Sequence, residues 1–300
     1  MFDFRLKVFY VVAKYLSFTK ASQELLISQP AITKHIKEIE TKLAIRIFER
    51  KGNRISLTPA GKILFEKAKK IFATYKELEY EIGELRKRYT GKLILGASST
   101  ISQWVIPVVL SKFKESYPAI NISLVNGNSA QIEQALYEER IDLGIVEGNL
   151  RRKGLKYSIF KNDLLMPVVS TERNLKDLET ITLNQLLKIP LLLREYGSGT
   201  LDVILKTLHE KAKISLSDLN VLMHLGSTES IKTYLHHSDA MGIISCAAIK
   251  KEVEAGILKT IKIRGIKFKR NFRFVYNQGG PRGLASKFMA FAKRHYNYKL

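Results

Sequence analysis

The sequence lacks the features by which secreted and membrane proteins are recognised. It contains one cysteine, Cys246, so no disulfide can form within the chain. No apolar run reaches the length of about 18 residues that a membrane-spanning helix needs. The first residues are apolar but have neither a basic start nor a small-residue cleavage site, so they do not resemble a secretory signal. These absences favour a protein of the cytoplasm that has no membrane partner.

The usual enzyme motifs are missing as well. The sequence has no G-x-S-x-G elbow, no H-E-x-x-H pair, no paired cysteines and no phosphate-binding P-loop. A hydrolase built on Ser98 or Ser198 with a histidine is an alternative, the candidates being His224, His236 and His237. The last two are adjacent, so on a helix they would point about 100° apart and form a poor metal pair. We therefore expect no enzyme activity, no catalytic residue and no metal site.

Acidic residues are scarce relative to basic ones. The 300 residues include 50 Lys and Arg but 28 Asp and Glu, which gives a formal net charge of +22. After Glu254 there is no acidic residue, whereas Lys259 to Lys299 include twelve cations. This excess of positive charge favours a polyanionic partner such as nucleic acid. An ordinary solvated surface with the same excess is the alternative. The length predicts about two domains.

Two short helices are predicted near the N-terminus. Four aliphatic residues recur at the helical steps of four, three and four, namely Ile32, Ile36, Ile39 and Leu43. Ser28 precedes this run as an N-cap, and Pro30 lies in the first turn, where its missing N–H costs nothing. Residues 18–25 predict a shorter helix, separated from the second by a tight corner. This arrangement is typical of a helix-turn-helix.

The face opposite the aliphatic stripe carries donors, acceptors and two cations but no acid. Base edges and phosphates in a DNA major groove need that combination, although the solvated face of a core helix can look similar. Residues 48–54 form a basic turn, which the apolar Ile55 and Leu57 would flank as a small β-wing. We therefore predict a winged helix-turn-helix over residues 1–58. Its expected DNA-binding residues are Ser28, Gln29, Pro30, Thr33, Lys34, Lys37, Arg50 and Arg54, with Thr41 on the same face.

This N-terminal block resembles the DNA-binding domain of LysR-type transcriptional regulators. The residues that carry the resemblance are SFTKASQELLISQPAITKHIKEIETKLAIRIFERKGNRISLTPAGKIL. The resemblance extends over essentially all 300 residues. In that family the helix that begins at the SQP motif enters the major groove, and the wing touches the flanking backbone. The resemblance thus implies double-stranded DNA with an interrupted inverted repeat as the partner.

A heptad pattern follows from Pro59. Eight residues alternate steps of four and three, namely Leu64, Ala68, Ile71, Tyr75, Leu78, Ile82, Leu85 and Tyr89. Such a seam is typical of a coiled coil, and a single buried amphipathic helix is the alternative. The resemblance implies that this linker helix and its hinge, residues 59–90, join chains into a homodimer or homotetramer. RNA polymerase is a candidate partner of the assembly.

Beyond residue 91, short apolar strands alternate with helices, which predicts a largely parallel α/β sheet. The resemblance implies an effector-binding domain over 91–300 with two lobes, like type II periplasmic binding proteins. The lobes are expected at 91–163 with 268–300, and at 164–267. The fold class is therefore α+β multidomain, with a winged helix-turn-helix, a linker helix and a two-lobed α/β domain. A ligand-binding protein built on the last domain alone is a further alternative.

Three predicted strand-to-helix turns carry hydroxyl groups, at residues 98–100, 194–200 and 226–229. One such turn is ordinary helix capping, but three at strand ends suit a small anion. The strings SSTISQWVIP, DLGIVEG and LLREYGSGT are similar to one branch of the family, which includes regulators of Calvin-cycle and of sulfur-assimilation or sulfite-reductase genes. The effector-binding residues that this likeness implies are Ser98, Ser99, Thr100, Glu147, Ser198, Gly199 and Thr200.

The expected ligand is a small metabolite of the anionic kind: a sulfur oxyanion, a phosphate ester or a carboxylate. Glu147 departs from this expectation, because a carboxylate repels an anion. We expect Glu147 either to accept a bond from a neighbouring donor or to lie at the rim of the cleft.

Overall fold

The computed structural model describes residues 3–51, 54–86, 89–148 and 151–297. Contacts divide the chain into two compact units, Met1–Arg86 and Lys87–Leu300, and each has its own hydrophobic core. Within the described ranges, no helix is both long enough and apolar enough to cross a membrane.

The first unit consists of three short helices, a two-stranded wing and a long helix. Its elements are α1 Phe4–Tyr15, α2 Phe18–Leu25, α3 Gln29–Leu43, β1 Phe48–Lys51, β2 Arg54–Leu57 and α4 Pro59–Leu85. The hydroxyls of Ser17, Ser28 and Thr58 each accept a backbone N–H at the start of a helix, so the predicted cap at Ser28 is confirmed. The two strands pair antiparallel, with Phe48 opposite Leu57, and form the predicted wing.

The aliphatic stripe of α3 forms the centre of the first core. Ile32 and Ile36 are buried against α1 and the wing, where Phe9 and Phe48 pack with ring centroids 5.5 Å apart. Ile39 is partly buried. Leu43 is 48% exposed, so its assignment to the buried stripe is wrong. Leu43 is the last residue of α3, and the chain turns away at the next residue.

The long helix α4 begins against the wing and ends before the predicted last seam position. A Cβ on Gly61 would lie 2.0 Å from the Ile47 carbonyl oxygen, so only glycine permits this approach. The helix ends at Leu85, so the assignment of Tyr89 to the seam is wrong. Tyr89 instead packs edge-on against Tyr117 in the second unit. Of the predicted hinge, Lys87 and Arg88 lie outside the described residues.

The remaining seam residues differ in exposure along the helix. Ala68 is fully buried, and Leu64 packs against the first core. Further along α4, large apolar side chains are exposed: Ile71 42%, Leu78 39%, Ile82 41% and Leu85 87%. The C-terminal part of α4 therefore presents an apolar face that its own unit does not cover.

The second unit alternates strands and helices. Its elements are β3 Gly91–Ser98, a π-helical turn Ile101–Val105, α5 Ile106–Ser116, β4 Ile120–Gly127, α6 Ser129–Tyr137, β5 Leu143–Glu147, β6 Leu155–Ser170, β7 Thr180–Ile181, α7 Leu183–Leu186, β8 Leu191–Arg194, α8 Gly199–Ala212, β9 Val221–Leu225, α9 Thr228–His236, β10 Met241–Ser245, α10 Cys246–Glu254, β11 Leu258–Thr260, β12 Lys262–Ile263, β13 Phe268–Asn277 and α11 Gly283–Asn297. Cys246, which the sequence placed in an apolar run, begins α10 after a strand of five residues.

The main sheet has the strand order β4-β3-β5-β13-β6-β10-β8-β9. The strands β4, β3 and β5 are mutually parallel and form its first half, and the parallel β10, β8 and β9 form its second half. Between the halves, β13 and β6 run antiparallel to each other and to their outer neighbours. The sheet is thus parallel within each half, as the sequence predicted, and antiparallel at its centre, where β6 and β13 carry the chain between the halves. The two halves have separate cores.

Glu133 on α6 is a buried carboxyl of the second unit. Burial raises its pKa, although the Tyr157 hydroxyl and the charge of Arg152 act in the opposite direction. Its Oε1 has no hydrogen-bond partner among the described residues. The folded protein therefore disfavours the ionised form of this group.

We expect Glu133→Gln to be more stable than the wild type at pH 7. The gain should shrink as the pH falls toward about 4.3, the ordinary pKa of Glu, because the folded wild type then holds Glu133 neutral. Thermal unfolding at a series of pH values measures this. Glu138→Gln is the control with the opposite sign, since bonds from Gln134 and Arg140 lower the pKa of Glu138. A Glu133→Gln protein less stable than wild type at pH 7 would contradict the assignment.

Candidate DNA interface and ligand cleft

One face of α3 lines a concave surface of about 860 Å³ on the first unit. The residues that border it are Arg5, Gln29, Pro30, Thr33, Lys34, Lys37, Glu38, Thr41 and Lys42. Gln29, Lys34 and Lys37 are exposed, and Thr33 is partly buried. The structure therefore brings together the predicted helix residues of the DNA interface. The side chains of Arg50 and Arg54, the predicted wing contacts, lie outside the described residues.

The charge on this surface is mixed rather than free of acid. Glu38 borders it, with a carboxylate oxygen 3.5 Å from Nδ1 of His35. Arg5 adds a guanidinium that the sequence reasoning missed, and it pairs with Asp3 at 2.9 Å. Lys34 and Lys37 form no ion pair among the described residues. Two ammonium groups thus face solvent beside the polar side chains.

Two residues of the interface have their geometry fixed by the backbone. The Thr33 hydroxyl donates to the Gln29 carbonyl at 3.1 Å, which leaves its lone pairs free to accept. The Ser28 hydroxyl accepts the Ala31 N–H at 3.4 Å, so Ser28 acts as the helix cap. Glu40 on the other side of α3 accepts the N–H of Ile47 at 2.9 Å and holds the base of the wing.

In the second unit, the predicted effector residues lie at the junction of the two halves of the sheet. Ser98, Ser99, Thr100, Glu147, Ser198 and Thr200 are all buried. They come from the ends of β3 and β5 in the first half and from the start of α8 in the second half. The predicted set is therefore brought together.

Glu147 is the centre of this site rather than its rim. Its Oε1 accepts the hydroxyls of Thr100 at 3.3 Å and Thr200 at 3.0 Å. Arg270 lies 3.2 Å from the same oxygen. The hydroxyl groups of both turns are thus donated to a protein carboxylate, which agrees with the first of the two expectations for this residue. Thr100 and Thr200 are for that reason not free donors.

Arg270 is a buried cation that the sequence reasoning missed. Its Nε donates to Asp163 at 2.6 Å, and its Nη1 donates to the Thr200 hydroxyl at 2.8 Å. Asp163 also accepts the Ser245 hydroxyl at 2.9 Å. Arg270 and Asp163 are direct neighbours in the β13–β6 ladder, so the two crossing strands hold this ion pair in place.

Arg194 is a second buried cation that was not predicted as a site residue. It ends β8, and its Nε donates to Glu195 at 2.8 Å. Its two Nη groups donate at 3.3 Å to the hydroxyls of Thr228 and Ser99. Arg194, which begins the second predicted turn, therefore bonds to hydroxyls of the other two turns.

Ser198 and Gly199 have structural roles at this junction. The Ser198 hydroxyl accepts the Thr200 N–H at 3.2 Å and caps α8. A Cβ on Gly199 would lie 2.0 Å from the Glu147 carbonyl oxygen. The backbones of the two halves therefore meet at Gly199, and no side chain fits between them.

Comparison with known proteins gives a consistent result over the whole chain. The model of the bacterial regulatory helix-turn-helix protein, lysR family, matches residues 4–62, and that of the LysR substrate binding domain matches residues 86–297. A probable RuBisCO transcriptional regulator of Trieres chinensis is 30% identical over 278 residues, 91% of this chain and 90% of that protein. The HTH-type transcriptional regulator CysL of Bacillus subtilis is 25% identical over 277 residues, with the same coverage.

Solved structures share the fold. Full-length CbnR complexed with its target DNA aligns with a TM-score of 0.61 at 20% identity, covering 98% of this chain and 99% of that one. The regulatory domain of Synechocystis PCC6803 CcmR in complex with 2-PG aligns with a TM-score of 0.61 at 24% identity. That alignment covers 69% of this chain and 97% of the CcmR domain.

The buried ion pairs generate a stability prediction. Arg270→Met should cost about 3–5 kcal/mol, because it leaves Glu147 and Asp163 as buried carboxylates without their cation. Urea unfolding followed by the fluorescence of Trp104, the single tryptophan, measures this in the second unit. Arg264→Met, at an exposed position, should change stability by no more than about 0.5 kcal/mol. Equal effects of the two substitutions would contradict the role of Arg270.

Proposed function

Because this chain belongs to the LysR family of transcriptional regulators, we propose that it binds promoter DNA as an oligomer under the control of a small anionic metabolite. The observation that carries the DNA-binding part is the polar face of α3. Gln29 presents an exposed amide that can pair with an adenine edge, and Lys34 and Lys37 present cations to phosphates. The solved CbnR structure includes target DNA, which supports the same role for this fold.

The apolar face of α4 supports association of two or more chains. Ile71, Leu78 and Ile82 repeat with coiled-coil spacing and are exposed in the single chain. A second copy of α4 would cover these side chains. The α3 helices of the two chains would then bind the two halves of an inverted repeat. We propose a homodimer as the minimal unit and a homotetramer as the full assembly.

The effector is proposed to bind where the two halves of the sheet meet, near Glu147. Buried Arg270 supports an anionic group in the ligand, because its Nη2 is a directed donor without a partner among the described residues. The relatives named as RuBisCO and CysL regulators support a metabolite of carbon or sulfur metabolism. The 2-PG complex of CcmR supports a small ligand in this kind of domain.

We further propose lobes at 91–163 with 268–300 and at 164–267, separated by the crossing strands. A ligand that favours one arrangement of the lobes over the other shifts the population toward it, and a change in subunit packing then alters the spacing of the DNA readers. Contact with RNA polymerase belongs to this scheme. We propose that the protein regulates transcription in the cytoplasm and does not catalyse a reaction. In the described residues no group of three or more His, Cys, Asp and Glu is suited to hold a metal ion.

Substitutions on α3 test the DNA-binding role. Gln29→Ala should cost roughly 1–3 kcal/mol at the cognate site and relax base preference, because the amide reads a base. Lys34→Ala should weaken binding to every DNA and lower the slope of log affinity against log salt by about 1, because it removes a phosphate contact. Gel retardation with DNA upstream of the protein's own gene, at several salt concentrations, measures both.

Lys70→Ala provides the control, since it removes an exposed lysine of α4 away from the α3 face. It should leave affinity and salt dependence near the wild-type values. If Gln29→Ala and Lys34→Ala weaken binding to all DNA sequences to the same degree, α3 does not read bases.

Substitutions on α4 test the assembly. Ile71→Asp with Leu78→Asp should place like charges against each other in the seam and separate the chains. Operator affinity should then fall roughly 100-fold, because the second reader no longer binds at high effective concentration. Analytical ultracentrifugation and gel retardation measure the two effects.

The matched control is Lys70→Asp with Ala73→Asp, two exposed positions of α4 outside the seam. This control should sediment as the wild type does. The coiled-coil assignment is wrong if the seam variant sediments in the same way and binds its operator equally well.

A further inference from the structure

Two atoms at the junction of the two halves of the sheet, the proposed ligand cleft, are not used by the protein itself. Oε2 of Glu147 and Nη2 of Arg270 have no hydrogen-bond partner among the described residues, although both side chains are at least 98% buried. Buried charged groups normally use their full hydrogen-bonding capacity, because an unmet donor or acceptor costs free energy. This pair therefore leaves one acceptor and one donor without a partner in the described part of the chain.

The position of these two atoms is defined by their neighbours. The other carboxylate oxygen of Glu147 is bonded to Thr100 from one half of the sheet and to Thr200 from the other. The other terminal nitrogen of Arg270 lies 3.2 Å from that same oxygen. Ser98, at the end of β3, has a third buried polar atom without a partner in the described part of the chain. The open acceptor thus belongs to the carboxylate that accepts hydrogen bonds from both turns, and the open donor belongs to the guanidinium that pairs with that carboxylate.

The charge of the cleft disfavours a ligand that only accepts hydrogen bonds. Buried Arg194 and Arg270 already pair with the three carboxylates of Glu147, Asp163 and Glu195. A fully ionised sulfate or phosphate could accept from Nη2 of Arg270. It would also place a charged oxygen against Oε2 of Glu147 with no proton between them, and like charges in a buried site repel strongly.

We propose that the effector is a small hydroxy acid or amino acid, free or phosphorylated. Its anionic group accepts from Arg270 Nη2, and its hydroxyl or ammonium group donates to Glu147 Oε2. One ligand then satisfies both open atoms, and it connects the crossing strand β13 to the end of β5. This inference rests on the proposed function only in taking the cleft as the effector site.

Three matched ligand series test the inference by calorimetry. Each holds the carbon skeleton constant and changes one substituent from hydrogen to hydroxyl to ammonium. The series are propionate, lactate and alanine; succinate, malate and aspartate; and 3-phosphooxypropionate, 3-phosphoglycerate and phosphoserine. In at least one series, the wild-type protein should bind the hydroxyl or ammonium member at least about tenfold more tightly than the unsubstituted acid.

Glu147→Gln is the variant that isolates the acceptor. Its amide oxygen can still accept from Thr100, Thr200 and Arg270, but its NH₂ group donates where Oε2 accepted. The preference for the hydroxyl or ammonium member should therefore fall to about threefold or less. Glu133→Gln is the matched control, because Glu133 is also a buried carboxyl with an unpartnered oxygen but lies outside the cleft. It should keep the wild-type preference, and a thermal melt establishes that each variant is folded.

The wild-type series decide the inference even if Glu147→Gln does not fold. It is overturned if no series shows a preference, whether all members bind alike or none binds at millimolar concentration. It is also overturned if a folded Glu147→Gln protein keeps the full preference. Gel retardation separates this inference from the proposed function. If the wild-type protein binds operator DNA but shows no preference within any ligand series, the ligand class is wrong and the DNA-binding function stands.

Discussion

The second unit depends on one buried contact, the pairing of Arg270 with Glu147 and Asp163. Glu147 ends a strand of the first half of the sheet, while Arg270 and Asp163 lie opposite each other on the crossing strands. Taking these charges out of water is costly, so the contact persists only because each partner is held by the sheet and by hydroxyls such as that of Thr200. The same atoms therefore join the two halves and lie at the centre of the candidate ligand site.

Much of the first unit could be predicted from the sequence, because its determinants are local. The cap at Ser28 and the stripe of Ile32 and Ile36 are encoded within a few residues of each other, and the structure has both as expected. Leu43 and Tyr89 were assigned wrongly because apolar spacing does not show where a helix ends. Leu43 is the last residue of α3, and Tyr89 lies beyond the end of α4.

The cleft could be predicted only in part. Hydroxyl turns at strand ends are visible as short strings, so Thr100 and Thr200 could be grouped from the sequence, whereas Glu147 entered only through the family likeness. Arg270 was missed because its partner Asp163 is 107 residues away, and only the antiparallel register brings them together. Arg194 left a weaker signal: a single charge that ends an otherwise apolar strand of leucines.

The close approach at Gly199 has a genetic consequence. Its missing side chain is what lets the two halves of the sheet touch, since even a methyl group would meet the Glu147 carbonyl at 2.0 Å. Alanine at this position acts as a wedge that holds the halves apart with or without a metabolite. Selection for regulators that ignore their signal should therefore recover this codon, although glycine has no side chain with which to bind a ligand or DNA.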